Sequence, residues 1–336
     1  VHFLTSDHLN GLPMSNPLPD SANCLLAQAS EITSRLPNHV RIVEMGARDG
    51  LQNETKTSTA AKITLINQLS TTGLTHIEAG SFVSPKWVPQ MADSDQVLQR
   101  IHRAPNVVYS ALTPNLQGLD KAIDAGVDQV AVFGSASEGF CQHNINCSIA
   151  ESFERFVPLI SRAKQHNIPV RGYLSCVMDC PYDGSTDPKQ VARIAKDMID
   201  LGCFEISLGD TIGTGTPLRT AKMLEAVLSQ IPSQNVAVHF HDTWGQALAN
   251  IYQSLMMGIK VIDSSVAGLG GCPYAQGAAG NVATEDVLYL CHELGIHTGV
   301  DLIKVAKAGW EISQQLNRQP SSKVSLALYA RSLRNS

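Results

Sequence analysis

Eight short runs of β-branched and apolar residues, with helix-length amphipathic stretches between them, constrain this chain more than any other feature. The runs are Val40–Met45, Thr75–Ala79, Asn106–Leu112, Gln129–Phe133, Ile168–Ser175, Phe204–Leu208, Val236–His241 and Lys260–Val266. Helical patterns such as Ser58–Ser70, Ile149–His166, Pro188–Leu201 and Leu218–Gln230 lie between them. Strands joined through helices pair in parallel by right-handed crossovers. Eight such units between residue 40 and about residue 295 match the size of a closed barrel. A doubly wound open sheet is the alternative, but no G-x-G-x-x-G follows the first run. The chain therefore reads as α/β, a (β/α)8 TIM barrel over residues 39–298. A short arm over residues 1–38 precedes it, helical near Ala22–Arg35. Residues 299–336 add a helix near Asp301–Leu316 and a polar tail after Arg318 that is expected to be loosely ordered.

Composition narrows the classes of function. Of 336 residues, 43% are hydrophobic and 16% charged, enough to bury one large core. The balance of 25 − 30 = −5 offers no global positive field to nucleic acid or an anionic membrane, so an anionic ligand must meet a local cation. No apolar run approaches the roughly 20 residues needed to span a bilayer, and the chain reads as soluble. Eight cysteines without paired CxxC spacing argue against a zinc ribbon or a secreted disulfide framework. Asp7, Asp20 and Glu31 interrupt the first forty residues, which carry neither an apolar signal core nor an Arg-rich transit pattern. A cytoplasmic location with reduced thiols is expected. A homo-oligomer is compatible with the sequence.

Barrel enzymes carry their chemistry where strands end and βα loops begin, and the unusual residues of this chain fall there. Strand one runs into Arg48-Asp49-Gly50, strand two ends in Glu78, strand six ends in Gly209-Asp210, and strand seven carries His239-Phe240-His241. Alternate strand residues face one way, so both imidazoles share a side and Phe240 faces the other. Two imidazoles at a strand end, with a carboxylate from Asp49 and a side-chain carbonyl from Asn281, form a mixed nitrogen and oxygen set. Such a set suits Mg2+ or Mn2+, and is compatible with Zn2+ or Co2+. Arg48 at a barrel mouth has to be neutralised or used, and Glu78 on the next strand is placed to orient it. Cys272, between a glycine pair and Pro273, belongs to a loop too rich in glycine for regular structure. Cys176, Cys203 and Cys291 read as small core residues.

The segments Val43–Glu54, Ser81–Asp93, Asn144–Ser148, Ser265–Tyr274 and Gly280–Asp286 resemble those of the 3-hydroxy-3-methylglutaryl-CoA lyase family, and the resemblance covers about residues 39 to 316. Arg48-Asp49-Gly50 and His239-Phe240-His241-Asp242 alone would indicate only the wider metallolyase superfamily; the cysteine-bearing glycine loop is specific to the lyase branch. The resemblance implies that Asp49, His239, His241 and Asn281 bind a divalent cation. It implies catalytic positions at Arg48, Glu78 and Cys272, with Asp210 a further acidic residue of the active site. Asp49 or a ligand histidine such as His239 would act as base. The implied substrate is an acyl-CoA, split to acetoacetate and acetyl-CoA by reverse Claisen chemistry, as in leucine breakdown. Departures from the family's pattern sit at Met45, Ala47, Ala79-Gly80 and Thr55, the last where many members carry Lys. Three alternatives stand beside this reading: a related lyase for citramalyl-CoA or a longer 3-hydroxy-3-alkyl chain, a condensing synthase, and a non-catalytic acyl-CoA-binding barrel. Synthases commonly carry a long region after the barrel, and about 40 residues follow residue 295 here.

Overall fold

A computed structural model describes residues 34–271 and 280–334. Its centre is a closed barrel of eight parallel strands. These are β1 (Arg41–Glu44), β2 (His76–Ser81), β3 (Val108–Leu112), β4 (Gln129–Ser135), β5 (Val170–Ser175), β6 (Glu205–Asp210), β7 (Val236–Phe240) and β8 (Val261–Ser264). Each strand pairs with its neighbours in chain order, and β1 closes on β8 in the register Arg41↔Val261 to Glu44↔Ser264. All eight apolar runs thus form the barrel. The expected second strand is extended to Ser81, past a register shift between Glu78 and Gly80.

Eleven helices are described around and beyond the barrel: α1 (Thr59–Leu69), α2 (Ser94–Arg100), α3 (Leu116–Asp124), α4 (Glu138–Ile145), α5 (Ile149–Gln165), α6 (Pro188–Leu201), α7 (Pro217–Leu228), α8 (Ala247–Met256), α9 (Thr284–Glu293), α10 (Leu302–Gln315) and α11 (Lys323–Arg334). Their starts follow local chemistry. Ser58, Asn115 and Asp187 each accept a backbone N–H from the first turn they cap, and Ser148 forms a reciprocal capping box with Glu151. Each such cap contributes about 1 kcal/mol. Pro188 and Pro217 open α6 and α7, where a missing N–H costs nothing.

The strands divide their side chains by parity. Ile206, Leu208, Val236, Val238, Phe240 and Ile262 belong to the core shared with the surrounding helices, whereas Val43, Met45, Leu112, Ala131, Tyr173, Ala237 and Val261 form a separate interior cluster. The same inward parity carries charge. Arg171 is fully buried between Glu205 and Asp263, and Arg41 also pairs with Glu205. Breaking a buried pair of this kind from one side costs about 3–5 kcal/mol, because the partner's charge is left uncompensated.

One expectation changes at the C-terminal end. The tail after Arg318 is not loose throughout: α11 forms from Lys323, with Ser322 Oγ and the Val324 N–H donating to Asp286 Oδ1, and the Tyr329 ring packing tilted against Trp310 at a centroid distance of 4.4 Å. Leu326, Tyr329 and Leu333 recur along it at helical spacing. The arm helix expected near Ala22–Arg35 lies almost wholly outside the described residues. Among the described residues no helix is long and apolar enough to cross a membrane.

Candidate active site

The segment after β1 is a π-helical turn, Gly46–Gly50, closed by the Gly50 N–H on Met45 O at 3.1 Å. Single π turns recur where a side chain must be re-aimed. This one presents Arg48 and Asp49 together. Its glycines are required by close approach: a Cβ on Gly46 would stand 2.7 Å from Glu44 Oε1 and Val266 Cγ1, and one on Gly50 would stand 2.6 Å from Ser265 Oγ.

Arg48 is 6% exposed and donates from Nε to Glu78 Oε2 and from Nη1 to Asp49 Oδ1, both at 2.5 Å. Tyr173 of β5 completes the holder, donating its hydroxyl to Glu78 Oε1 at 3.0 Å while the guanidinium lies 5.5 Å from its ring centroid. Burial opposes the charge on Arg48, but Glu78 and Asp49 hold it firmly protonated. Burial raises the Glu78 carboxyl, with Arg48 opposing.

Asp49 joins this ion pair to the histidines. Its carboxylate lies with His239 and His241 in a group whose ligand-capable atoms all fall within 4.8 Å of one another. Asn281 Nδ2 donates to Asp49 Oδ2 at 2.9 Å. The segment that carries Asn281 is stitched between β7 and β8: Asp242 N donates to Gly280 O, Val282 N to Phe240 O, and Ser265 N to Val282 O. The expected ligand set Asp49, His239, His241 and Asn281 is therefore gathered at one end of the barrel.

Three observations test whether these residues suit a divalent cation. Asp49, which shares the Arg48 guanidinium with Glu78, brings a carboxylate oxygen into the buried group. His241 Nδ1 is buried without a hydrogen-bond partner. The donors are imidazole and oxygen without thiolate, the chemistry of a hard or borderline cation. The residues fit. Electrostatics agrees: burial would raise Asp49, yet Arg48, His239 and His241 hold it down at about 2. Burial and the neighbouring His239 hold His241 down at about 4, so its imidazole is neutral and free to ligate.

Asp210 lies at the end of β6, fully buried, and accepts the backbone N–H groups of Thr214 (3.2 Å) and Gly215 (2.8 Å). Burial lifts it to about 6 against those bonds. These contacts tie it to the loop after β6 rather than to Arg48. Cys272 lies outside the described residues. Cys176, Cys203 and Cys291 are buried, as expected, and so are Cys141, Cys147 and Cys180. Two site residues escaped the sequence reading, Tyr173 and Asp263. Both alternate with other inward residues on their strands, in Arg171-Gly172-Tyr173 and Val261-Ile262-Asp263, and a lone Asp in an apolar strand was the available signal.

Fold and donor set together define a class, the metal-dependent lyases built on a (β/α)8 barrel. Comparison with known proteins narrows it. The family model described as HMGL-like matches residues 39–312, and by this measure the chain belongs to the 3-hydroxy-3-methylglutaryl-CoA lyase family. A 3-hydroxy-3-isohexenylglutaryl-CoA/hydroxy-methylglutaryl-CoA lyase of Pseudomonas aeruginosa is 58% identical over 297 residues, covering 88% of this chain and 99% of that protein. The mitochondrial hydroxymethylglutaryl-CoA lyase of Homo sapiens is 55% identical over 304 residues, covering 90% of this chain and 94% of that protein. Among solved structures, a hydroxymethylglutaryl-CoA lyase from Pseudomonas aeruginosa matches with a TM-score of 0.87 at 57% identity, covering 88% of this chain and 99% of that chain. An HMG-CoA lyase from Acinetobacter baumannii, in complex with coenzyme A and 3-methylmalate, matches at 0.82 and 35% identity, covering 86% and 95%.

Proposed function

We propose that this chain cleaves 3-hydroxy-3-methylglutaryl-CoA to acetoacetate and acetyl-CoA with Mg2+ or Mn2+ bound by Asp49, His239, His241 and Asn281. The observation that carries the reading is the pairing of a buried, doubly held Arg48 with the Asp-His-His group at one barrel end. A divalent cation there supplies Lewis acidity to the substrate's tertiary hydroxyl. Asp49 or the ligand His239 accepts the hydroxyl proton. The C2–C3 bond then breaks, its electron pair moves into the thioester as an enolate, and C3 becomes the ketone of acetoacetate. Arg48, already oriented by Glu78 and Tyr173, faces the enolate oxygen as a preorganised cation. The Cys272 thiol gives its proton to C2, forming acetyl-CoA, and regains one from the proton first removed. A thiol with an ordinary pKa near 8.5 is a competent acid for that step. Asp210 acts by fixing the loop after β6.

The isohexenyl-bearing name of a 58% identical relative favours a second reading, a tolerance of longer 3-alkyl chains. The proposed location is the cytoplasm, which suits the unpaired described cysteines; relatives carry both cytoplasmic and mitochondrial names. The test is a product assay with purified protein, Mg2+ and either substrate. Acetoacetate and acetyl-CoA in equal amounts are expected from 3-hydroxy-3-methylglutaryl-CoA, and a Cys272→Ala variant should keep its metal while losing most turnover. Absence of cleavage, or near-normal turnover without the thiol, would contradict the proposal.

A further inference from the structure

His239 of β7 and Asp263 of β8 are direct cross-strand partners in the barrel. Their side chains meet inside it, with His239 Nδ1 3.4 Å from Asp263 Oδ2, while His239 Nε2 lies 3.8 Å from Asp49 Oδ2 on the other side of the ring. One nitrogen therefore faces the candidate ligand cluster and the other faces a carboxylate outside it. Asp263 is held by several donors at once. Arg171 Nη2 donates to Oδ1 at 2.8 Å, Arg171 Nη1 to Oδ2 at 3.0 Å, and Ser207 Oγ to Oδ2 at 2.7 Å. Arg171 is itself fixed through Nε on Glu205 Oε1 at 2.8 Å. Asp263, Arg171 and Ser207 are each about 1% exposed.

A carboxylate in that setting has little freedom to turn away. It offers its acceptor lone pairs to whichever ring nitrogen faces it, so it favours the tautomer with the proton on Nδ1 and leaves Nε2 as the lone-pair donor. His241 has the opposite arrangement. Its Nδ1, the nitrogen that on His239 meets Asp263, is buried and unpartnered. The two rings therefore differ in that Nδ1 of His239 has a carboxylate beside it and Nδ1 of His241 has no partner.

We infer that Asp263, anchored by Arg171 and Ser207, is a positioning residue that fixes the His239 ring so that Nε2 is presented to a divalent cation, while His241 presents Nδ1. The inference rests on the metal-site reading above and adds which ring nitrogen serves and which buried group selects it. Carboxylate partners of ligand histidines typically account for 10- to 100-fold in metal affinity.

The test compares Mn2+ binding by wild-type protein and Asp263→Asn, using calorimetry and the electron paramagnetic resonance of free Mn2+. A 10- to 100-fold weaker affinity is expected in the variant, with KM far less changed than kcat once metal saturates. Asp263→Asn leaves Arg171 with one anion fewer and can fail to fold. Ser207→Ala, which only loosens the carboxylate, covers that case and should give a smaller loss in the same direction. Independently, long-range 1H–15N spectra of Zn2+-loaded wild-type protein should show one ligand imidazole protonated on Nδ1 and the other on Nε2. Absence of saturable Mn2+ binding by the wild type would overturn the metal-site reading and this inference with it. Saturable binding with unchanged affinity in both variants, or two ligand imidazoles protonated on the same nitrogen, would overturn this inference alone.

Discussion

Arg48 touches more of the account than any other residue, because its fork is used twice before a substrate arrives. Nε serves Glu78 and Nη1 serves Asp49, with the Tyr173 ring below. A lysine at this position would keep the charge but could not reproduce the planar fork. Arg48→Lys is therefore expected to lose on the order of 10²–10³ in turnover, the scale of losing one preorganised donor to a developing oxyanion. Steady-state kinetics with metal at saturation checks it. A variant within a few-fold of wild type would reduce Arg48 to a tether between β1 and β2. Much at this scale was legible in the sequence. The HxH spacing gave two imidazoles on one side, and Asp49 and Asn281 arrived from separate chain segments. Tyr173 and Asp263 were not, since nothing in a one-dimensional pattern says which inward residues on β2, β5, β7 and β8 stand at the same height.

Between β8 and the glycine-rich segment, the 3-10 turn Val266–Gly268 is held from below by two glutamates. Glu44 accepts the N–H groups of Gly46 and Val266 and the Thr284 hydroxyl, and Glu285 accepts the N–H of Ala267 and the Ser325 hydroxyl. Ala267 sits at φ 57°, a left-handed conformation that costs a non-glycine residue about 1 kcal/mol or more. Burial lifts Glu44 from 4.5 to about 7 and Glu285 from 4.5 to about 8, against those bonds. A carboxyl whose folded pKa lies above its unfolded value stabilises most below the unfolded value, and that contribution is lost as pH rises through the folded one. Both groups should therefore make the protein progressively less stable between about pH 5 and pH 8. Glu285→Gln removes one of them while keeping an acceptor for Ala267, so thermal unfolding across that range should give a flatter pH dependence than wild type. Parallel curves would show that Glu285 does not titrate in this window.

For the whole molecule, periodicity and order were enough to specify the barrel. Parallel strands separated by helices admit few closed arrangements, and all eight apolar runs joined one sheet. What lay beyond reach were features set by contacts distant in sequence: the π turn at Gly46–Gly50, the short hairpin of Asp179–Cys180 with Gly184–Ser185, and the docking of α11 through Asp286 and Glu285. The barrel interior shows why the site sits where it does. Below the cluster, Arg41 and Arg171 balance Glu205 and Asp263, so that region is neutral. At the cluster, Arg48 bridges Glu78 and Asp49, and the Asp49 carboxylate meets two imidazoles. A resident divalent cation is the central claim that follows, and its most direct test is acetoacetate release by protein stripped with a chelator and verified metal-free by elemental analysis. The account predicts no turnover of 3-hydroxy-3-methylglutaryl-CoA in that state and recovery as Mg2+ or Mn2+ fills one site per chain, with His241→Ala failing to recover at the same concentrations. Full turnover by verified metal-free protein would contradict it.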